Sequence, residues 1–384
     1  MSRIRTNYPS VALYTSEGIS STAATKHYQL PRIQSFDTNV EISRTPLRQF
    51  GQTAAITKIV TEEPTVGASF SYYLKDGAEE RALGFYVQDA GTFTGEANFI
   101  SGQIASNSGS NFYVPVSPEG TDFNFLAGGT AALSGLPVYA LGNCFPSSYE
   151  VNVAVGDIPT VTVNLEASSM VQSIYTVSGA TTGCINPAVN PADGTMLNTA
   201  FAVKLPQPTP GTGASIPMAL RPSQATLSFG TLTGTASGIA APPVNLDVAG
   251  GNGIRVQSAS ISVPLSRSPI QQLGSRFAYA RPTDLPITVT MQVEAIVNER
   301  VSRNLSAFMD DESTHDVSLT LKNANGSDNM KFTLKGAQID SFSENLSLGD
   351  NMSVSLTLSA DVGGILDMSR GLFVSGSNQS GIYS

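Results

Sequence analysis

Charge is scarce in this chain. Asp, Glu, Lys and Arg make up 13% of its 384 residues, against roughly 25% in an average soluble protein. The balance is acidic, 30 carboxylates to 21 basic residues and a formal net charge of −9. Proteins that grip nucleic acid through its phosphates need a basic patch, so this composition argues against that class. Cysteine is nearly missing: Cys144 and Cys184 stand alone, too few for a disulfide scaffold, and they read as partly buried free thiols in a cytoplasmic product. His27 and His315 are the only histidines. Both sit in polar contexts without ligands at metal spacing, so both read as surface residues. No apolar run approaches the ~18 residues that span a bilayer. "MSRIRTNYPSVALYTSEG" at the start has no apolar h-region, which predicts no signal peptide and no membrane insertion. There is no P-loop and no G-x-S-x-G, and "GGNGIRV" at Gly250 precedes a strand, not the helix a dinucleotide site requires. The carboxylate pairs Glu62-Glu63 and Glu79-Glu80 lie beside turn-like segments and read as solvated, whereas acid–base work needs them buried at fixed separation. The expectation is a protein that is not an enzyme and uses no cofactor or metal.

What is present is a hydrophobic content of 41%, which separates the chain from disordered acidic sequences. Ser, Thr, Gly and Asn fill the space that charge leaves. That suits β-sheets with much shared surface, as in an assembly subunit, and equally an ordinary secreted β protein.

The chain also repeats itself. "IQSFDTNVEISRTPLRQFG" at Ile33 returns as "VQSASISVPLSRSPIQQLG" at Val256, an offset of 223 residues (256 − 33). Gln34, Ser35, Val40, Ser43, Arg44, Pro46, Gln49 and Gly51 recur without a gap, where chance gives ~1 identity. A second block, "SYEVNVAVGDIPTVTVNLEA" at Ser148, returns as "SFSENLSLGDNMSVSLTLSA" at Ser341, an offset of 193 (341 − 148). The difference implies an insertion in the first copy, placed at about 98–129, where Gly, Ser and Asn suggest an elaborated loop. Residues 1–170 thus form a first domain, 171–220 a Pro/Gly-rich irregular connection, and 221–384 a second domain. "LNTAFAVKL" and "SQATLSFG" are candidate short strands between the repeated blocks.

The repeated blocks alternate at period two. Ala259, Ile261, Val263 and Leu265 interleave with Ser258, Ser260, Ser262 and Pro264, as Phe36, Val40 and Ile42 do with Asp37, Asn39 and Glu41. The later blocks read as hairpins about Gly156-Asp157 and Gly349-Asp350-Asn351. Val297, Val301, Leu305 and Phe308 form one helical stripe, with a solvated Asp310-Asp311-Glu312 end.

The strand running into "SRSPIQQLG", the short helix and the closing "SENLSLGDNMSVSLTLSADVGG" together resemble the tail tube (major tail) proteins of long-tailed bacteriophages. The resemblance covers roughly 32–167 and 254–364. It implies a mainly β fold of two tandem β-sandwich domains, each with a short flanking helix. It implies a structural virion protein, assembled in the bacterial cytoplasm, whose homotrimeric pseudo-hexameric rings stack into the hollow tail tube through which DNA passes without specific binding. Sheath, tape-measure, terminator and tail-tip proteins would be its partners. The segments that follow the first strand of each copy are candidate inter-ring loops, with Arg44, Pro46, Leu47 and Phe50 in one and Arg267, Pro269, Ile270, Leu273 and Phe277 in the other. Arg44 and Arg267 are expected to pair with carboxylates. Asp37 and Glu41 are candidate acids of the channel wall, matched by uncharged Ser260 and Pro264. Competing readings are another tail, baseplate or head-decoration protein, a β-sandwich adhesin binding glycans, and an unrecognised hydrolase.

Overall fold

The computed structural model describes residues 11–17, 27–61, 63–89, 97–105, 109–117, 123, 133–178, 181–190, 192–197, 201–206, 220, 225–229, 254–297, 314–323, 326, 328–346, 351–364 and 367–377. The first copy contains β1 (Leu13–Glu17), β2 (His27–Leu30), β3 (Ile33–Glu41), β4 (Thr45–Leu47), β5 (Thr57–Ile59), β6 (Thr65–Tyr73), α1 (Ala78–Ala82), β7 (Gln88–Asp89), α2 (Ser101–Ala105), β8 (Ser110–Pro115), β9 (Pro137–Ala154), β10 (Thr160–Ala167) and β11 (Ser169–Ile174). Then come β12 (Thr176–Ser178), β13 (Thr181–Ile185), β14 (Phe201–Val203) and β15 (Ala225–Ser228). The second copy continues with β16 (Ile254–Pro264), β17 (Thr288–Val297), β18 (His315–Lys322), β19 (Asp328–Asn345), β20 (Ser353–Asp361) and β21 (Gly371–Gly376).

Alternation makes the central sheet. β6, β10, β17 and β20 each bury every second residue, so one face is apolar and the other is hydroxylated. In the first copy the order is β3-β6-β10-β9, and in the second it is β16-β17-β20-β19. The two units agree residue for residue. Phe36 faces Phe70 as Ala259 faces Val293, and Val163 faces Phe70 as Leu356 faces Val293. Even the irregularities recur. Gln34 is passed over between Ile33–Tyr72 and Ser35–Ser71, and Gln257 between Val256–Ala295 and Ser258–Glu294. Each glutamine turns its amide onto the carbonyl two residues back, Arg32 at 3.0 Å and Arg255 at 3.2 Å. A second bulge falls at Ser147 in β9 and at Asp340 in β19. The repeated Gln34 and Gln257 therefore mark a repeated bulge, not only a repeated strand.

The units are joined through the sheet itself. The end of β9 lies antiparallel to β16, with Tyr149 opposite Val263, Val151 opposite Ile261 and Val153 opposite Ala259. The last strand of one unit thus pairs with the first strand of the next, and eight strands run on continuously.

β9 and β19 are both 18 residues long, and their first halves leave this sheet for a second layer. There β9 pairs with β8 and β11, and β8 with β1. The corresponding set is β15-β18-β19 with β21. The layers share one core, in which Phe70 of the central sheet lies 6.0 Å from Phe112 of the second layer. A smaller cluster gathers Tyr14, Tyr113, Phe123, Tyr175, Cys184 and Val203. Cys144 and Cys184 are free thiols, both buried.

Several sequence expectations are corrected here. The insertion at 98–129 is not all loop: α2 and β8 lie within it, and β8 is buried between β1 and β9. The connection at 171–220 is not all irregular: it carries most of β11, a local hairpin of β12 and β13, and β14, which lies in the expected short strand "LNTAFAVKL". Val297 ends β17, and the rest of the helical stripe at 298–308 lies outside the described residues, as do Asp310-Asp311-Glu312 and Gly349-Asp350 of the second turn. His27 and His315 are buried, not at the surface. Val40 and Ile42 are exposed rather than packed inward, since β3 is the edge of the sheet.

Glu79 and Glu80 are the sharpest departure. They are buried on α1. Glu80 accepts hydrogen bonds from Tyr72 Oη at 2.7 Å and Tyr149 Oη at 3.1 Å. The Glu79 carboxylate has Arg32 at 3.9 Å and no hydrogen-bond partner among the described residues. Burial, with Glu80 and Asp76 adding repulsion, pushes the Glu79 carboxyl up from 4.5 to about 8, and burial raises Glu80 as well. The unfolded chain releases the Glu79 proton near pH 4.5 while the folded chain keeps it until about pH 8. The stability that Glu79 contributes is therefore full below pH 4.5 and falls as pH rises toward 8, by about 1.4 kcal/mol per unit. Thermal unfolding followed from pH 5 to 8 should show a falling Tm, and Glu79→Gln should flatten that slope and raise the Tm at pH 8.

Candidate functional site: a polar face, two loops and two open edges

The solvent face of the central sheet carries Asp37, Glu41, Glu150, Glu166, Glu294 and Asp361 among serines, threonines and asparagines. β3, β6, β9, β10, β17 and β20 contain no lysine or arginine. Arg255 stands at the start of β16, and Lys331 and Lys335 belong to the first half of β19. Asp37 and Glu41, picked out from sequence, are exposed on this face. Its fixed negative charge, with little cation to offset it, repels polyanions.

The two equivalent loops leave the same end of the sheet. The first folds as a hairpin of β4 and β5, with Leu47 facing Thr57. The second is bridged at Arg267–Thr283 and Ile270–Ala280. At their tips Phe50 and Leu273, which correspond at the 223-residue offset, are both fully exposed. Each is followed by a glycine with φ of 86° or 92°, in the left-handed region that explains why Gly51 and Gly274 both recur. Leu47, Ile56, Ile59, Ile270 and Tyr279 add exposed apolar surface. Pro46 and Pro269 are exposed, and Phe277 is half-buried. So much apolar area at one end of a sheet is unusual for a free subunit.

The arginines at the loop bases differ. Arg44 is exposed. Arg267 is buried against the first copy: Nη2 donates to the Gln103 carbonyl at 2.7 Å, Nη1 to the Arg281 carbonyl at 2.9 Å, and the guanidinium lies 4.5 Å over the Phe145 ring. Burial, with Arg281 nearby, lowers it to about 10. Its expected carboxylate partner is replaced by carbonyls, and Arg281 makes the ion pairs instead, to Glu63 and, at 3.8 Å, to Glu166. Sequence reading missed Arg281 and took Glu63 as solvated. The second loop is thereby clamped onto the first copy, whereas Arg44 at the base of the first loop is exposed.

The third feature is the pair of outer strands of the central sheet. Among the described strands β3 has β6 as its ladder partner, and the 338–345 part of β19 has β20. Along these edges Val40 is 46% and Leu346 68% exposed. The sequence reading puts Leu346 in the closing hairpin and does not single out Phe342; the 193-residue offset places them at Val153 and Tyr149. Among the described residues there is no group of three or more His, Cys, Asp or Glu that could hold a metal ion, and no helix is long and apolar enough to cross a membrane.

The arginine contrast is testable by chemical unfolding. Arg267→Met should destabilise the chain by about 2–3 kcal/mol, because buried carbonyls lose their donor. The matched Arg44→Met should stay within about 0.5 kcal/mol of the parent.

No family model matches the chain, and no curated protein matches it. Among solved structures, 32% of the chain is similar to 80% of a chain in a six-fold symmetrised cryo-EM structure of the anti-feeding prophage baseplate, at 16% identity and a TM-score of 0.24.

Proposed function

We propose that this chain is a structural virion protein of a phage tail, and that three copies close into a ring of six sheet units that stacks into a tube for DNA passage. The observation that carries this reading is the head-to-tail join of β9 to β16. An interface between unlike edges is not used up when it forms: it leaves one edge of each kind at the ends. Repetition with a constant turn per unit closes a ring, and duplication supplies two units per chain. Closure also removes the open edges, which otherwise invite aggregation.

The remaining features take roles in that ring. The acidic, hydroxyl-rich face lines the channel, so that Asp37, Glu41 and their companions repel passing phosphates and DNA slides rather than sticks. The loops carrying Phe50 and Leu273 reach the neighbouring ring, where their apolar tips are covered. The role is architectural and not catalytic, and further tail proteins meet the ends of the stack.

Negative-stain imaging and native mass measurement of the purified protein test the reading directly. Three-chain rings with a central hole, stacking into tubes, are expected. Monomers at all concentrations, or rings built from six chains, would sink it. Phe50→Ser with Leu273→Ser should leave rings intact but cut tube length severely, since both residues are solvent-exposed in the single chain.

A further inference from the structure

We infer that the Phe50 tip of the first loop seats in a groove at the opposite end of the central sheet, on a chain of the neighbouring ring, where Val155, Ile254 and Leu227 receive it. The inference rests on the ring reading and names the two surfaces that stack.

The groove is made by the join of the two units. It measures about 350 Å³, and Val153, Val155, Leu227, Ile254 and Val256 are among its lining residues. Leu227 and Ile254 are buried, whereas Val155 is 66% exposed. The bulge in β16 shapes it: the carbonyl of Gln257, the residue passed over there, accepts a hydrogen bond from the Val155 N–H at 2.9 Å. That bond holds the chain leaving β9 against the start of β16 and fixes the Val155 side of the groove.

Groove and loops lie at opposite ends of one sheet. β16 starts at Ile254, in the groove, and its loop follows Pro264. β3 runs parallel to β16, four strands away through β6, β10 and β9, so its loop leaves the same far end. A contact between unlike surfaces at the two ends of a body repeats along an axis without limit, which is what a stack of rings requires.

The two surfaces also match in chemistry. Phe50 is fully exposed, with exposed Leu47 and Ile56 behind it, and the hairpin is tied by Ile56 N–H donating to the Leu47 carbonyl at 2.9 Å. Covering a phenyl group buries roughly 150–250 Å². Residues 42–60 contain Arg44, Arg48 and Lys58 and no carboxylate, and all three cations are exposed. The turn that follows Val155 sets an exposed Asp157 beside an exposed Ile158. Arg255, the cation among the lining residues, has an interaction of its own within the chain. A basic apolar tip thus meets an apolar groove with an acid next to it. The second loop suits the groove less well. Gln272, beside Leu273, donates to the Ala192 carbonyl at 3.3 Å, and Arg267 and Arg281 hold the rest of that loop to the first copy.

The test uses the full chain, in which Cys144 and Cys184 are buried, and a short bifunctional thiol reagent. Gln49→Cys with Ile158→Cys keeps Phe50 and should give a covalent ladder that runs past three chains on denaturing electrophoresis, because each link crosses from one ring to the next. Gln272→Cys with Ile158→Cys should link at least several-fold less. Val155→Arg should leave thermal unfolding and the three-chain ring unchanged and shorten tubes several-fold. If tubes form and the Gln272/Ile158 pair gives the ladder instead, the second loop is the occupant and the assignment to Phe50 is wrong, while the ring reading stands. If tubes form, neither pair links and Val155→Arg stacks like the parent, the groove is not a stacking surface. If the parent forms rings that never stack, a second copy is not the occupant. If the parent never leaves the single-chain state, the ring reading itself fails.

Discussion

An antiparallel sheet cannot end without leaving backbone donors and acceptors in search of partners, and the architecture of this chain is organised around that constraint. Among the described residues of the central sheet, the two units meet this need where β9 meets β16. That join turns two four-stranded units into one eight-stranded sheet with a common core beneath it and a common hydroxylated face above. It also leaves Val40 on one outer strand and Leu346 beyond the other exposed. Proteins that live as monomers blunt such edges with charge, proline or a covering loop. Here Glu41 is the charge at the end of β3, and Val40 beside it is open.

Duplication lets equivalent positions diverge. In the second loop Arg267 rests on Phe145 and Arg281 bonds Glu63, so residues of the two copies build a clamp that a single unit could not. The C-terminal strand adds another tie: β21 runs parallel to β7 of the first copy, and Asn98 donates to the carbonyls of Asp367 and Arg370 at 3.2 and 3.0 Å. These contacts bind the halves beyond the sheet ladder and make the pair of units, not the single unit, the stable body.

The repeat was the most legible part of the sequence, because matching residues report matching register. Gln34 and Gly51 kept their identity for backbone reasons that the structure makes explicit, a bulge and a positive φ. Edges were less legible. Phe36, Val40 and Ile42 alternate as a buried strand does, and only the position of β3 at the end of the order leaves Val40 and Ile42 uncovered. Glu79 and Glu80 were misread because Tyr149, which donates to Glu80, is distant in sequence. A carboxylate beside a turn looks solvated until the fold brings phenols over it. The β12–β13 hairpin escaped notice for want of length, three and five residues, while β14 fell within a stretch that did read as a strand.

The bulges at Gln34, Ser147, Gln257 and Asp340 lie at matching places in both units. A bulge bends its strand and sharpens the local twist. Four of them at fixed positions give the eight-stranded sheet a curvature that is written locally and does not depend on any neighbour. In the proposed ring the diameter of the opening is then a property of the individual chain before it meets another, and the seam between chains only has to accept an angle already set.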